Sequence, residues 1–211
     1  MVMKCEVGFW CVIAVAFWTF FSVGVWIEHY RSGEEGSTRS AASQGEKSLP
    51  IIFPPPRKLE WLPDWILRLP IKVEATKGLE APASLLKREL TEIFGDGSIA
   101  ENGLTIVSLE LDTGNFRREE EYAIETGDNK VTLRAHDLQG AFWAVHSFLQ
   151  LVSHPTVRRT SQGWQVAGVK VHDYPKSNFR AFMIQGAWAP NIEAYRMTLE
   201  LLARLKVRYV A

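Results

Sequence analysis

Two alternating strands followed by an aspartate-capped apolar helix constrain the fold of this chain more than any other feature. Residues 121–152 read EYAIETGDNKVTLRAHDLQGAFWAVHSFLQLV. Apolar and polar side chains alternate from Glu121 to Glu125 and from Lys130 to Ala135, on either side of Thr126-Gly-Asp-Asn129. This pattern predicts a β-hairpin with a short connection. The apolar face of such a hairpin needs a covering layer, so the region predicts a two-layer α+β domain.

The predicted helix has a defined start and one apolar face. Asp137 is placed as its N-cap, where a carboxylate accepts a backbone N–H of the first turn. Gly140 lies in that turn, where the lack of a side chain permits close packing against a sheet. His146 lies beside the apolar face and is interpreted as a half-buried histidine rather than a ligand. The apolar face, at steps of three and four, comprises Leu138, Ala141, Phe142, Val145, Phe148, Leu149 and Val152.

Shorter patterns extend this domain in both directions. Further strands are predicted at Ile71–Ala75, Leu104–Leu111 and Trp164–Val171, and a helix at Ala83–Phe94. The resulting order of elements predicts one mixed sheet with two helices on one face. The proline triplet at 54–56 predicts an extended, polyproline-like entry to the domain. The acidic runs Glu34-Glu35 and Glu119-Glu-Glu121 are interpreted as solvated.

Composition excludes several classes of function. The 24 basic and 24 acidic residues give a formal net charge of zero, so nothing indicates a nucleic-acid partner. The two cysteines, Cys5 and Cys11, both lie near the N-terminus. We therefore expect neither a disulfide nor a thiolate metal site in the rest of the chain. No His-Glu-x-x-His motif occurs, and neither a metal nor a cofactor is expected. The eight tryptophans fit either core packing or stacking on sugar rings.

The N-terminal region predicts a membrane anchor. Residues 7–27 form a stretch of 21 residues without a charge. A helix of that length spans about 30 Å, the thickness of the hydrocarbon core. We expect an uncleaved single-pass anchor within residues 1–31, with the body on the extracytoplasmic side. The alternative is a cleaved signal peptide and a secreted protein. Residues 32–48 are small and polar, which predicts a flexible linker.

Several short motifs then occur in a fixed order. They are Tyr122-Ala-Ile124, Asp137-Leu-Gln-Gly140, Gln150-Leu151, Asp173-Tyr-Pro175 and Arg180. Residues 49–211 resemble, in this order and spacing, the zincin-like accessory domain of family 20 glycoside hydrolases and the strand that follows it. Those enzymes are β-N-acetylhexosaminidases. The resemblance implies an accessory α+β domain at residues 49–176 and the first strand and helix of a truncated TIM barrel at 177–211.

The resemblance also assigns roles to the last 35 residues. It implies that Arg180–Ile184 is the first strand of a (β/α)8 barrel and that Asn191 caps the first barrel helix. Val207–Val210 would begin the second strand. The helix would carry an apolar stripe of Ile192, Tyr195, Leu199, Leu202 and Leu205. Eight strands close such a barrel, so we expect this barrel start to be incomplete, with an exposed apolar edge.

The resemblance implies where the chemistry lies. Family 20 enzymes use an adjacent Asp-Glu pair, in which the Glu is the general acid and the Asp orients the acetamido group that acts as nucleophile. That pair belongs to the fourth barrel strand, so no catalytic residue is expected in these 211 residues. The family also binds sugar hydroxyls through an Asp-x-x-Arg pattern, whose positions are occupied here by Gln185 and Trp188. Arg180, Gln185 and Trp188 are the predicted substrate-binding residues.

Two functions follow as expectations. The first is the N-terminal portion of a membrane-anchored, exported glycoside hydrolase that acts on a glycan or amino sugar. The second is a membrane-tethered, non-catalytic carbohydrate-binding or scaffold module, motivated by the tryptophan content. In both cases we expect the 211-residue chain to hydrolyse no chromogenic N-acetylglucosaminide by itself. The oligomeric state is left open.

Overall fold

A computed structural model of the protein describes residues 49–184 and 191–211, which belong to one compact unit, Lys47–Ala211. The predicted membrane anchor, the predicted linker, Gln185 and Trp188 lie outside the described residues. Within the described ranges, no helix has the length and apolar character needed to cross a bilayer. These described residues form nine strands and three helices.

The first part of the described chain is a mixed α+β domain. Its strands are β1 (Lys58–Leu67), β2 (Ile71–Ala75), β3 (Thr105–Leu111), β4 (Tyr122–Thr126), β5 (Lys130–Ala135), β6 (Arg158–Thr160) and β7 (Gly163–Asp173). Its helices are α1 (Glu80–Phe94) and α2 (Leu138–Val152). The strands form a sheet in the order β1-β7-β4-β5-β3-β2, with β6 paired to β7. The prediction of a mixed α+β sheet is confirmed.

Strand pairing places the hairpin at the centre of the sheet. β4 pairs with β5 in antiparallel orientation, as the alternating pattern predicts, and β5 pairs with β3 in parallel orientation. On its other side β4 pairs with β7, which brings Tyr122 opposite Asp173. The two motifs that contain these residues are 51 positions apart in sequence, and the sheet makes them direct neighbours.

The helices α1 and α2 pack against each other and against the sheet. Residues from both helices and from six strands of the domain form one buried hydrophobic cluster. Its largest fully buried side chains include Tyr122, Phe148, Leu86, Leu90 and Leu133. Leu138 departs from the predicted face, because this first helical residue is 47% exposed. The side chain of His146 is buried at 9% exposure, so this histidine lies deeper than predicted.

Strand β1 is the largest element that the sequence patterns did not predict. Lys58–Leu67 pairs with β7, and the register shifts between Leu62 and Trp65. The two residues between them, Pro63 and Asp64, oppose a single residue of β7, which is a β-bulge. A proline inside a pattern argues against a strand, but a bulge accommodates it because the ladder is already interrupted there. The proline triplet therefore leads directly into a long edge strand.

The last described elements form a separate β–α–β arrangement, called here the βαβ unit. It consists of β8 (Ala181–Phe182), α3 (Ile192–Arg204) and β9 (Tyr209–Val210), and its two strands are parallel. Asn191 caps α3 as predicted, because its Oδ1 accepts the backbone N–H of Glu193 at 2.9 Å. Of the predicted apolar stripe only Leu202 is fully buried, whereas Ile192 is 86% exposed.

Candidate functional site

A cleft of about 490 Å³ lies where the βαβ unit meets the α+β domain. Prolines form part of its wall, and charged and aromatic side chains together with Leu205 form the rest. Five residues at its base make one connected set of ion pairs and hydrogen bonds, called here the junction cluster: Glu120, Tyr122, Asp173, Arg180 and Lys206.

Glu120 is the first centre of the junction cluster. Its side chain is buried, and its Oε2 accepts a hydrogen bond from Trp143 Nε1 at 2.7 Å and one from the Arg180 guanidinium. Arg208 reaches its other oxygen, Oε1, at 2.9 Å. The backbone of Glu120 has a φ of 61°, which lies in the left-handed region that residues other than glycine rarely adopt. This conformation belongs to the turn that precedes β4 and directs the carboxylate inward.

The start of α2 holds Glu120 in this position. Asp137 Oδ1 caps the helix by accepting the backbone N–H of Gly140 at 2.7 Å, and its Oδ2 accepts the backbone N–H of Glu120 at 2.8 Å. A Cβ on Gly140 would lie 2.8 Å from the carbonyl oxygen of Glu121. Gly140 is therefore required for the close approach between the helix and the turn. Asp137, Gly140 and Trp143 recur every three residues and together surround Glu120.

Asp173 is the second centre, at the end of β7. Its Oδ2 accepts hydrogen bonds from Tyr122 Oη at 3.0 Å and from Lys206 Nζ at 2.9 Å. Lys206 Nζ also donates to Tyr122 Oη at 2.7 Å. The remaining oxygen, Oδ1, accepts the backbone N–H of Arg57 at 3.1 Å, which ties the segment before β1 to the same place. Ser147 of α2 completes the set with a 2.8 Å hydrogen bond to Tyr122 Oη.

Lys206 occupies an unusual position for its residue type. It follows α3 with a φ of 58°, and its backbone N–H bonds the carbonyl of Ala203 while that of Val207 bonds the carbonyl of Leu202. These two bonds form a Schellman motif, whose left-handed position is usually a glycine. A lysine here loses the conformational advantage of glycine but places its ammonium group on Asp173. The contact with Asp173 accounts for this choice of residue.

Burial shifts two ionisable groups of the junction cluster. It lowers the pKa of Lys206, and the neighbouring Asp173 carboxylate opposes that shift through its charge and hydrogen bond. The pKa of Tyr122 is raised well above its ordinary value, first by burial and then by the charge of Asp173. Tyr122 therefore stays protonated, which suits its role as a donor to Asp173 and an acceptor from Lys206.

The two carboxylates of the junction cluster are placed for structure rather than for proton transfer. A glycosidase of the two-carboxylate type needs one acid whose proton reaches the leaving group and a second carboxylate near the sugar ring. Here Glu120 Oε2 and both oxygens of Asp173 accept hydrogen bonds from the protein, whereas Glu120 Oε1 has no hydrogen-bond donor among the described residues and lies 2.9 Å from Arg208 Nη1. The cluster joins the βαβ unit to the α+β domain through the contacts of Arg180 with Glu120 and of Lys206 with Asp173.

Arg180, a predicted substrate-binding residue, belongs to this junction. Its Nε donates to the carbonyl of Lys206 at 2.8 Å, one terminal nitrogen donates to the carbonyl of Ser177 at 2.7 Å, and the other contacts Glu120. Arg180 also precedes β8, and barrel enzymes bind substrates at the opposite, carboxyl ends of their strands. The geometry therefore favours a structural role, and sugar binding by Arg180 stays a prediction, as it does for Gln185 and Trp188.

The prediction that Glu119-Glu-Glu121 is solvated is wrong for two of its three residues. Glu120 is 1% exposed and Glu121 is 7% exposed. Burial alone would raise the pKa of Glu121, but hydrogen bonds from the backbone N–H groups of Arg117 and Arg118, and from His172, lower it. The sequence does contain a signal for this burial, because the acidic run lies between the pair Arg117-Arg118 and a buried strand.

The sequence patterns also missed Lys206 and Trp143 as members of this site, because neither stands in a motif with a defined spacing to its partner. The motif residues Tyr122, Asp137, Gly140, Asp173 and Arg180 do meet at the junction. Among the described residues, no group of histidine, cysteine and carboxylate side chains is arranged to hold a metal ion.

Comparison with known proteins identifies the family to which the α+β domain belongs. The family described as glycosyl hydrolase family 20, domain 2, matches residues 49–174, which is more than half of the chain. The chain therefore belongs to glycosyl hydrolase family 20. A search of curated protein sequences gave no significant match.

Solved structures of this family share the fold. A family 20 β-N-acetylglucosaminidase has a TM-score of 0.61 and 23% identity over 77% of this chain and 30% of its own. A β-N-acetylhexosaminidase from Bacteroides fragilis NCTC 9343 has a TM-score of 0.60 and 21% identity over 76% of this chain and 32% of its own. A Streptomyces plicatus β-hexosaminidase has a TM-score of 0.61 and 17% identity over 78% of this chain and 36% of its own. The chain thus spans about a third of the length of these proteins.

Proposed function

We propose that this chain is the N-terminal portion of a membrane-anchored, exported glycoside hydrolase of the β-N-acetylhexosaminidase kind, and that it lacks the catalytic carboxylates itself. The observation that carries the proposal is the parallel βαβ unit that follows a family 20 domain 2 and is joined to it through the motif residues. A strand, a helix and a second parallel strand are the repeating element of a (β/α)8 barrel. In this proposal β8, α3 and β9 begin that barrel.

The exposed side chains of the βαβ unit support the same proposal. Phe182, Met183, Met197 and Leu201 are 46%, 68%, 60% and 56% exposed. Tyr209 and Val210 of β9 are also exposed. Soluble proteins seldom expose so many large apolar side chains on one small unit. Further barrel strands and helices would cover them in a complete hydrolase.

The proposed substrate is a glycan with a terminal N-acetylhexosamine. This follows from family membership and from the names of the similar structures, a β-N-acetylglucosaminidase and two hexosaminidases. In the proposal the catalytic Asp-Glu pair comes from the fourth barrel strand. Gln185 and Trp188 stand where the family pattern has Asp and Arg, so we propose altered contacts with the sugar hydroxyls.

The activity is tested with two proteins made from the same gene. One is the 211-residue chain, and the other extends through the downstream reading frame. Both are assayed with a chromogenic N-acetylglucosaminide. We expect turnover only from the extended protein, and replacement of the Glu of its Asp-Glu pair by Gln should abolish that turnover. Turnover by the 211-residue chain, or a downstream frame without a barrel-length sequence, would contradict the proposal.

The anchor is tested separately. We propose that residues 7–27 hold the protein in a membrane with residues 49–211 on the extracytoplasmic side. Alkaline extraction of membranes should leave the full chain in the pellet and release a variant that lacks residues 7–27. Protease added to intact cells or spheroplasts should remove the body. Recovery of a shortened protein from the medium would favour the cleaved signal peptide instead.

The tryptophan content gives less support to the alternative, a membrane-tethered, non-catalytic carbohydrate-binding or scaffold module. All four described tryptophans, Trp61, Trp65, Trp143 and Trp164, lie in the hydrophobic core or pack against it. The described tryptophans therefore contribute to the packing of the domain. Glycan binding by the 211-residue chain that disappears in Trp188→Ala would restore this alternative.

A further inference from the structure

The βαβ unit buries very little of itself. Among the described residues of 177–211, only Leu202 and Lys206 are buried, and Lys206 is a charged residue. Leu202 does not belong to the hydrophobic cluster of the α+β domain. Fully buried apolar side chains are therefore rare in the described part of this unit.

Charged contacts cross the same boundary. Lys206 and Arg180 come from the βαβ unit and its entry, and they contact Asp173 and Glu120 of the α+β domain. Arg208 adds a third cation, at 2.9 Å from Glu120 Oε1. Each of these cations lies directly before β8 or β9 or follows the end of α3. Together they fix the amino ends of both parallel strands.

The carboxylates are held in place from the side of the α+β domain. Glu120 is fixed by the Asp137 side chain and the Trp143 indole, and Asp173 is fixed by Tyr122 and by the backbone of Arg57. None of these contacts involves the βαβ unit. The geometry of the two carboxylates is therefore set by residues of the α+β domain. Because the carboxylates are preorganised, binding the cations costs little further conformational entropy.

We propose that the α+β domain is a docking template for the βαβ unit, with Glu120 and Asp173 as the positioning residues that capture its cations. The domain thereby aligns β8 and β9 in parallel while their apolar side chains are still uncovered. The template acts on this chain's own fold, so the proposal is independent of any hydrolase activity.

Hydrogen–deuterium exchange of the full 211-residue chain, read by mass spectrometry, tests the proposal. The variants are Glu120→Gln and Asp173→Asn, and the matched control is Glu125→Gln, whose exposed carboxylate pairs with Arg134 at 3.3 Å and with Lys170 at 3.9 Å, both within the α+β domain. We expect amides of α3 and β9 to exchange at least tenfold faster in both variants than in the wild type. Amides of α1 and β3 should keep their wild-type rates, and the control should match the wild type throughout.

A variant from the other side of the junction keeps the test valid if Glu120→Gln disturbs the domain. Arg180→Gln changes only the entry to the βαβ unit and should reproduce the faster exchange in α3 and β9. The double variant Glu120→Gln/Arg180→Gln should accelerate exchange by less than the two single variants combined, because each of them removes the contact between Glu120 and Arg180. Unchanged α3 exchange in Arg180→Gln and Asp173→Asn overturns the proposal. So does additive acceleration in the double variant.

Discussion

The α+β domain and the βαβ unit differ in the kind of interaction that holds them. In the domain, helices and strands share one buried hydrophobic cluster in which many side chains have no exposed surface. Full burial of one large apolar side chain stabilises a fold by about 1.5–3 kcal/mol. The described βαβ unit has one such residue, Leu202, at 5% exposure. Its contacts with the domain include ion pairs of Glu120 and Asp173 with three cations, Arg180, Arg208 and Lys206.

This difference teaches what each kind of contact contributes. Apolar burial is non-directional, so it stabilises the domain without fixing a single orientation of a neighbour. Buried ion pairs add little net stability compared with apolar packing, but removing one partner is strongly destabilising because it leaves a charge without compensation. The junction therefore specifies where the βαβ unit lies, whereas the core determines whether the domain folds. We expect local opening of the unit at a lower free energy than global unfolding.

The largest expected effect separates the two regions by a core substitution. Phe148 in α2 is fully buried, so Phe148→Ala should lower the free energy of unfolding by about 3–5 kcal/mol. Urea unfolding followed by circular dichroism measures this loss. The matched substitution in the βαβ unit is Leu201→Ala, whose side chain is 56% exposed and whose loss should stay within about 0.5 kcal/mol. Equal losses would contradict this difference between the α+β domain and the βαβ unit.

The second prediction concerns pH and a residue that faces both regions. His146 lies on α2 near Glu89 of α1 and near Arg204 and Lys206 at the end of α3. Burial, with the nearby Arg204, lowers the pKa of His146 from 6.5 to about 4. Between these values the unfolded chain binds a proton that the folded chain does not. The contribution of His146 to the free energy of unfolding is therefore fully present above pH 6.5, and it is lost progressively as the pH falls towards 4.

The size of this effect is at most about 3 kcal/mol, since one pKa unit corresponds to about 1.4 kcal/mol. Urea unfolding at several pH values measures it. The variant His146→Gln cannot take up the proton and should lose less stability over the same range. A pH profile of His146→Gln that parallels the wild-type profile would show that other groups determine the acid sensitivity.

The third prediction tests the contact that places Glu120. In Gly140→Ala, the added Cβ meets the carbonyl oxygen of Glu121 at 2.8 Å, and backbone atoms cannot yield cheaply. We expect a loss of about 1–3 kcal/mol, together with faster exchange in α3 because the Glu120 turn is displaced. Gly114→Ala is the matched control, since its Cβ would meet only the Asp112 side chain at 3.9 Å. Stability of Gly140→Ala equal to that of the control would falsify this account.

The sequence predicts the domain better than the junction, for a physical reason. The hairpin, the Asp137 cap and the Asn191 cap are local features, in which the residues that interact are close in the chain. The junction brings Glu120 to Arg180 across 60 positions, and Tyr122 to Lys206 across 84. No periodicity encodes such pairs, and the left-handed backbone of Glu120 and Lys206 contradicts their residue preferences. Strand β1 was not predicted because the bulge at Pro63 interrupts its pattern.

The smallest expected effect compares the same local interaction in both regions. Asp137 caps α2 inside the domain, and Asn191 caps α3 in the βαβ unit. Removal of an N-cap costs about 0.5–2 kcal/mol. We expect the loss of stability in Asp137→Ala to lie near the upper end of this range, because Asp137 also accepts the backbone N–H of Glu120. This loss should lower the urea midpoint of global unfolding. Asn191→Ala should leave the urea midpoint unchanged and raise exchange only in the first turn of α3, because that turn opens without unfolding the core. A shift of the urea midpoint in Asn191→Ala would mean that the βαβ unit and the domain unfold as one cooperative body.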